Sequence, residues 1–357
     1  MSRVVLSGYY GFCNLGDEAI LGATVDALRD RRPGLDIAVL TATPQATSGT
    51  YGVEGVPRNR PREIVRTLRG CDVYLSGGGS LFQDATSWRS PWYYLGVLAL
   101  ARRLARRTVI YAQGIGPLRG RTVRLATRRL LNAVDLITLR DRESLGALDD
   151  LGIHRPRVVL AADPSLLLRP EWSARAQGEK ARWGEGTHFG LALRPWEGDR
   201  VLDVVSAAAK MVADRLGVRW ICLPMHPPGD LTAAEQVAAR IGPAAEVVRV
   251  RLAPREMLAL IGSLALLVGM RFHALVFAAA GGVPVIPVAY DPKVAAFAHE
   301  LGETALDAAR LETSALVEAI ETAAADLPGR RDRLLGAVAP LRARAALAPE
   351  AVADLIA

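Results

Sequence analysis

The sequence is short of lysine, of cysteine and of long apolar runs. Only Lys180, Lys210 and Lys293 are lysines among 44 basic residues, so nearly all positive charge is carried by arginine. The three cysteines, Cys13, Cys71 and Cys222, are odd in number and lack metal-ligand or redox spacing, which excludes a disulfide framework. No 18 apolar residues follow one another: the nearest stretch, Ala274 to Val288, is broken by Gly281, Gly282, Pro284 and Pro287, which excludes a membrane-spanning helix. The start lacks the charged end and apolar stretch of a signal peptide, so the expected location is cytoplasmic. No spacing of His, Cys, Asp and Glu suggests a metal, and no resident cofactor is expected. Basic runs interleaved with aromatics are missing too, so nucleic acid is not an expected partner.

The 357 residues are 50% apolar and carry 44 basic against 37 acidic side chains, enough for two cores of ordinary domain size. The formal charge of +7 is a mild excess. Its arginines are scattered, which reads as solvated helix faces, with a patch for an anionic substrate or membrane surface as the alternative.

Short β-branched runs alternate with helical patterns, which predicts a parallel α/β fold. Strands are expected at Val4 to Leu6, Ile37 to Leu40, Val73 to Leu75, Thr108 to Tyr111, Leu136 to Leu139 and Val158 to Leu160. A polar stretch from about Leu166 to Gly186, holding Trp172 and Trp183, reads as a linker. The strands resume at Phe189 to Leu193, Trp220 to Leu223, Val247 to Val250, Ala265 to Val268 and Val283 to Val288. Two Rossmann-like domains facing across a cleft are expected, 1–168 and 187–325. Residues 326–357 read as terminal helices that pack back on the first domain. Ligands of open α/β sheets bind at the strands' carboxyl ends, so the chemistry is sought there.

Four loops at such ends stand out. Gly8-Tyr9-Tyr10-Gly11-Phe12-Cys13-Asn14-Leu15-Gly16-Asp17-Glu18 has the glycine gap of a P-loop, but Asp17 and Glu18 stand where Lys and Ser/Thr belong, which excludes a triphosphate site. Two readings remain: a tight turn with Asp17 capping the helix, or an acceptor loop in which Asn14 and Asp17 bond hydroxyls. In Gly77-Gly78-Gly79-Ser80 three glycines remove every Cβ at a strand end, as a ligand-facing loop needs. Gln113-Gly114-Ile115-Gly116-Pro117 is half a dinucleotide motif without its closing glycine. Arg140, after Leu139, is aimed at the cleft, while Asp141 or Ser144 caps the next helix.

Gly269-Met270-Arg271-Phe272-His273-Ala274 is the strongest constellation. It adds an Arg and a His to the positive end of a helix, which is a site for an anion. Tyr290-Asp291-Pro292-Lys293 follows the next strand and brings Lys293 towards the same pocket. His226 is a weaker candidate beside the site, with a bonded loop histidine as the equal alternative; Arg194 is similar.

Together these motifs, with Asp84, Ser144 and Ala162-Asp163-Pro164, resemble the polysaccharide pyruvyl transferases, and within them the bacterial CsaB type, from residue 3 to about 300. The resemblance implies a fold like the two-domain GT-B glycosyltransferases. It also implies transfer of pyruvyl from phosphoenolpyruvate to a sugar as a ketal. The implied acceptor is a β-N-acetylmannosamine of a lipid-linked secondary cell-wall polymer, pyruvylated at O4 and O6, whose product anchors proteins with S-layer homology domains. Carried over, Arg271, His273, Lys293, Phe272 and Arg140 are donor-site residues, and Asn14, Asp17, Gly78, Gly79, Ser80 and His226 lie on the acceptor side. Phosphoenolpyruvate carries a phosphate and a carboxylate, which suits clustered cations, and histidine is the side chain there that exchanges protons near neutrality. His273 is expected to transfer protons, Arg271 and Lys293 to stabilise departing phosphate, and Asp17 to act as acceptor base. Peripheral membrane association is a further expectation. The alternatives are a nucleotide-sugar glycosyltransferase of the same architecture and a non-catalytic sugar-binding protein that kept the fold.

Overall fold

A computed structural model describes residues 2–84 and 87–356. The chain divides into two compact units, residues 1–167 with 341–357, and residues 168–340.

Unit 1 runs β1 (Arg3–Ser7), α1 (Leu15–Arg31), β2 (Asp36–Thr41), α2 (Pro44–Tyr51), β3 (Glu54–Pro57), α3 (Pro61–Leu68), β4 (Val73–Ser76), β5 (Gly79–Phe82), α4 (Ser90–Leu104), β6 (Arg107–Ile115), α5 (Arg121–Leu131), β7 (Leu136–Leu139), α6 (Glu143–Leu151) and β8 (Arg157–Leu160). Its parallel sheet has the order β3-β2-β1-β4-β6-β7-β8, with β5 also on β6. Parallel strands covered on both faces must be apolar on both. Accordingly Val5 joins a core with Ile64, Leu68, Leu95 and Leu98 of α3 and α4. Its neighbours Val4 and Leu6 join Leu21, Val25 and Leu28 of α1, together with Ala348 and Val352 from the chain's end. Each such valine, leucine or isoleucine contributes about 1.5–3 kcal/mol by leaving water.

Unit 2 holds α7 (Ala174–Ala181), β9 (His188–Ala192), α8 (Arg200–Leu216), β10 (Arg219–Cys222), α9 (Gly229–Ile241), β11 (Ala245–Val247), α10 (Pro254–Ile261), β12 (Leu266–Gly269), α11 (Phe272–Gly281), β13 (Val285–Ala289), α12 (Pro292–Glu300), β14 (Leu306–Asp307), α13 (Thr313–Ala325) and the start of α14 (Leu327–Ala353). Its sheet order is β11-β10-β9-β12-β13-β14, again parallel. Both sheets are doubly wound. In each, the chain leaves the first strand to one side and then returns to the other, so the carboxyl ends of β1 and β4, and of β9 and β12, flank the crevice where such sheets bind ligands.

Three sequence expectations need correction. Residues 166–186 are not a bare linker: Ser173 caps α7 by accepting from Ala176 N at 3.2 Å, and Trp183 is fully buried. A short helix of alanines and polar residues, followed by a lone tryptophan, gives too little apolar periodicity to stand out in the sequence. Strand β11 lies at Ala245–Val247, earlier than the valine run suggests, because it pairs with Trp220 to Cys222. The cap of α1 is Asn14, not Asp17: Asn14 has extended backbone and accepts from Gly16 N at 3.0 Å, which leaves Asp17 in the first turn.

Candidate functional site

In unit 1 the glycine loops meet at the β1/β4 crevice. Gly77 N donates to Ser7 O at 2.7 Å, which joins the two strand ends. Gly79 has φ +100°, and a Cβ there would stand 3.0 Å from Asp17 Oδ1; an open left-handed backbone therefore lies against the Asp17 carboxylate. Glu18 is committed to structure, accepting from Gly11 N at 2.7 Å and from the Tyr51 hydroxyl at 2.9 Å. Tyr10 is buried, and desolvation, reinforced by Asp17 and Glu18, holds its hydroxyl protonated well above the ordinary tyrosine range.

Arg140 leaves the end of β7 and is only 6% exposed. Its guanidinium donates to Ser80 Oγ at 3.1 Å and pairs with Asp163 at 3.5 Å and Asp141 at 3.4 Å. A Cβ on Gly114 would come within 2.8 Å of Arg140 Nη2 and 3.0 Å of Ser80 Oγ, so glycine at that point of β6 is what admits the arginine. Asp141 accepts from Ser144 N at 3.0 Å while Ser144 Oγ accepts from Ile115 N at 2.8 Å, fixing the start of α6. Arg58, which no local sequence pattern singles out, lies over Phe12 and Tyr93 with ring-centroid distances of 4.9 and 4.2 Å.

In unit 2, Met270 N and Arg271 N both donate to Ala192 O, at 2.9 and 3.2 Å, so β9 and β12 deliver Arg271 to the second crevice as the N-cap of α11. Its guanidinium grips Asp230 in α9: Nε donates to Oδ2 at 2.8 Å and Nη2 to Oδ1. The Asp230 side chain is fully buried and also accepts from Met225 N at 3.2 Å and His226 N at 2.9 Å. Asp230 was absent from the sequence reading; its only signal there is an acidic residue after Pro227-Pro228-Gly229, at a helix start. His226 is thus tied by its backbone to the residue that orients Arg271.

His273 is the second residue of α11, its ring edge-on to Phe272 at 5.1 Å. Phe272 also packs on Phe297 of α12 at 5.2 Å. Lys293, four residues before Phe297 on the same helix face, is 37% exposed, with its ammonium 3.4 Å from the Asp291 carboxylate. Asp291 caps α12 by accepting from Lys293 N at 3.0 Å. Arg194, after β9, lies over the Tyr290 ring at 4.6 Å. The expected residues therefore fall into two sets: Asn14, Asp17, Gly78, Gly79, Ser80 and Arg140 on the carboxyl edge of the first sheet, and His226, Arg271, Phe272, His273 and Lys293 on that of the second. Among the described residues no group of three or more His, Cys, Asp or Glu side chains is placed to hold a metal ion, and no helix is long and apolar enough to cross a membrane.

The sequence profile of the polysaccharide pyruvyl transferases matches residues 14–292, a span that takes in both crevices. The chain belongs to this family. No curated protein matches it. Its fold is GT-B-like and is shared with solved nucleotide-sugar proteins. Anabaena HepE in complex with UDP-glucose superposes with a TM-score of 0.65 at 13% identity over 99% of each chain. Staphylococcus aureus MnaA with UDP gives 0.65 at 11%, over 99% of this chain and 95% of that one. The UDP-GlcNAc 2-epimerase of Neisseria meningitidis gives 0.64 at 9%, over 99% of each. For this pyruvyl transferase, identities so low establish common architecture and nothing of the substrate.

Proposed function

We propose that this pyruvyl transferase uses phosphoenolpyruvate to build a 4,6-linked pyruvate ketal on a β-N-acetylmannosamine of a lipid-linked secondary cell-wall polysaccharide precursor, on the cytoplasmic side, as the CsaB type does. Such a product would anchor proteins with S-layer homology domains. The observation that carries the reading is the Arg271–Asp230 pair at the start of α11, with His273 two residues on in the same turn. A guanidinium has five N–H donors, so one held by two bonds to a buried carboxylate is aimed and still has donors for a second anion.

In the proposed reaction His273 gives a proton to the methylene carbon, and the resulting cationic C2 is attacked by one sugar hydroxyl, which loses its proton. Phosphate then departs with the C–O bonding pair, stabilised by Lys293, Arg271 and the α11 N-terminus. The second hydroxyl attacks the regenerated cationic C2 and loses its proton in turn. One hydroxyl proton replaces the one given to carbon, the other leaves with phosphate, and the products are the ketal and inorganic phosphate. Asp17, on the carboxyl edge of the first sheet, is the proposed acceptor-side base, and Arg140 with Ser80 a polar contact.

The test incubates the enzyme with phosphoenolpyruvate and a synthetic lipid-linked N-acetylmannosaminyl disaccharide, read by mass spectrometry. The expected product is heavier by one pyruvyl ketal, and His273→Ala abolishes it while the fold persists. The kinship in fold with UDP-bound proteins supports one rival, a nucleotide-sugar glycosyltransferase. Calorimetric titration with UDP and with phosphoenolpyruvate separates the two: tight UDP binding without phosphoenolpyruvate binding overturns the proposal.

A further inference from the structure

Between Asp84 and Asp135 the sequence has ten arginines and no Asp or Glu. The fold concentrates this charge, because α4 and α5 flank β6 and pack side by side, with Arg102 Nε donating to Ala133 O at 2.8 Å just beyond the end of α5. Among the described residues, the ion pairs of the stretch are those of Arg106 with Asp72 and Arg107 with Asp135, where the chain enters β6. Helix α5 is amphipathic in an unusual sense: Val123, Thr127 and Leu131 face the core, whereas Arg121, Leu125, Arg128 and Arg129 are exposed. Leu125 is 67% exposed, and Trp92 on α4 is 42% exposed. At the C-terminal end of α5 an open cavity of about 530 Å³ is lined by Leu125, Arg128, Arg129, His154 and Arg155 among others. Its wall is fixed by Asn132, which donates to Gly152 O at 2.8 Å and accepts from His154 N at 3.1 Å and Arg155 N at 3.2 Å. The carboxylate beside it is Asp149, 3.6 Å from His154 Nδ1.

We propose that this face of α4 and α5 docks on an anionic lipid bilayer, with phosphate headgroups entering the cavity against Arg128, Arg129 and Arg155 and with Leu125, at the same cavity, reaching the acyl boundary. Charge complementarity selects the occupant: α4 and α5 carry arginines and no carboxylate of their own, and even with Asp149 and Asp150 alongside on α6 the face is net positive, so it repels a second copy of itself and attracts a negative surface. An exposed leucine lining the cavity, Leu125, favours a bilayer over a polyphosphate chain, which needs charge alone. Docking here is independent of the donor chemistry, because it is read without turnover.

The experiment is co-sedimentation of the full chain with phosphatidylcholine vesicles, with and without one part phosphatidylglycerol to two of phosphatidylcholine. The protein should pellet with the anionic vesicles only, and less so at high salt. Each arginine near such a surface contributes about fivefold in affinity, so Arg128→Gln, Arg129→Gln and Arg155→Gln together should weaken binding on the order of a hundredfold. Leu125→Glu should weaken it independently. Both variants should melt as the parent does and keep transfer to a water-soluble acceptor. Equal binding to neutral vesicles, or unchanged binding by the triple variant, would overturn the proposal. So would variant-sensitive binding to soluble glycerol phosphate, duplex DNA or a second copy without any binding to vesicles.

Discussion

Replacing Asp230 with asparagine removes a charge and almost no volume from the second crevice. The carboxylate accepts Met225 N, His226 N and Arg271 Nε on Oδ2, and Arg271 Nη2 on Oδ1. An asparagine oxygen placed at Oδ2 keeps the first three bonds and sets its amide donor against the Nη2 donor. The loss is one charge-assisted bond, about 1.5–3 kcal/mol, plus the counter-charge of a guanidinium that is 19% exposed and so partly relieved by water. A total of about 2–3 kcal/mol corresponds, for a unit this size, to a melting shift of roughly 4–12 °C in scanning calorimetry. Phosphoenolpyruvate affinity, read by titration calorimetry, should fall on the order of tenfold as the guanidinium loses its aim. Arg271→Met should cost more, about 3–5 kcal/mol, because it strands a fully buried carboxylate. The double variant should cost less than the two singles together. If Asp230→Asn melts within about 1 °C of the parent, a change below the roughly 2–4 °C expected per kcal/mol, and binds phosphoenolpyruvate equally well, the pair does not aim Arg271 and the reasoning is wrong.

Other predictions follow from single contacts. Gly114→Ala should separate activity from stability: its Cβ displaces the flexible ends of Arg140 and Ser80, so transfer should fall about ten- to a hundredfold with little change in melting, and an unchanged rate would show the Arg140–Ser80 bond to be idle. Burial and the neighbouring Lys180 push the His188 imidazole below its ordinary value of about 6.5, so its stabilising effect is complete above that pH and is lost as the pH falls. Unit 2 should therefore melt lower at pH 5 than at pH 7, and His188→Gln should shrink that difference; an equal slope would remove His188 as a cause. Burial holds the Cys71 and Cys222 thiols up at about 12, so a thiol reagent at pH 8 should modify the partly exposed Cys13 alone until denaturant is added.

Strand ends were legible because parallel strands covered on both faces write continuous apolar runs, and loops rich in glycine or charge after such runs mark the crevices. Legibility failed wherever a residue's meaning lies in a partner far along the chain. Asp230 stands 41 positions before Arg271 and looks locally like an ordinary acidic first-turn residue. Asn14 and Asp17 are both capping residues by type, and only the extended backbone at Asn14 decides between them. Trp183 supplies one buried indole within a polar stretch, too little to signal α7. The arginines looked scattered because α4 and α5 are separated in sequence by β6, which the fold places beneath them both.

The pairing of Arg271 alters how the charge of the proposed donor would be met. Read as a sequence, the second crevice offered two full cations to a small anion; in the fold, Arg271 already has a buried counter-charge, and Lys293 lies beside the Asp291 carboxylate. Neither pair forms an unbalanced positive site, so attraction at long range is weak and recognition depends on directed donors: the guanidinium, the ammonium and the positive end of the α11 dipole. Direction favours discrimination over capture. Such an arrangement holds a phosphate or carboxylate only where it can take several short bonds at once, and binding that depends on aimed hydrogen bonds more than on net charge should weaken little as salt is raised. The arginine face of α4 and α5, the proposed bilayer surface, is the opposite case: net charge supplies the attraction, which should make binding steeply sensitive to salt, so ionic strength alone should separate the two sites in one preparation.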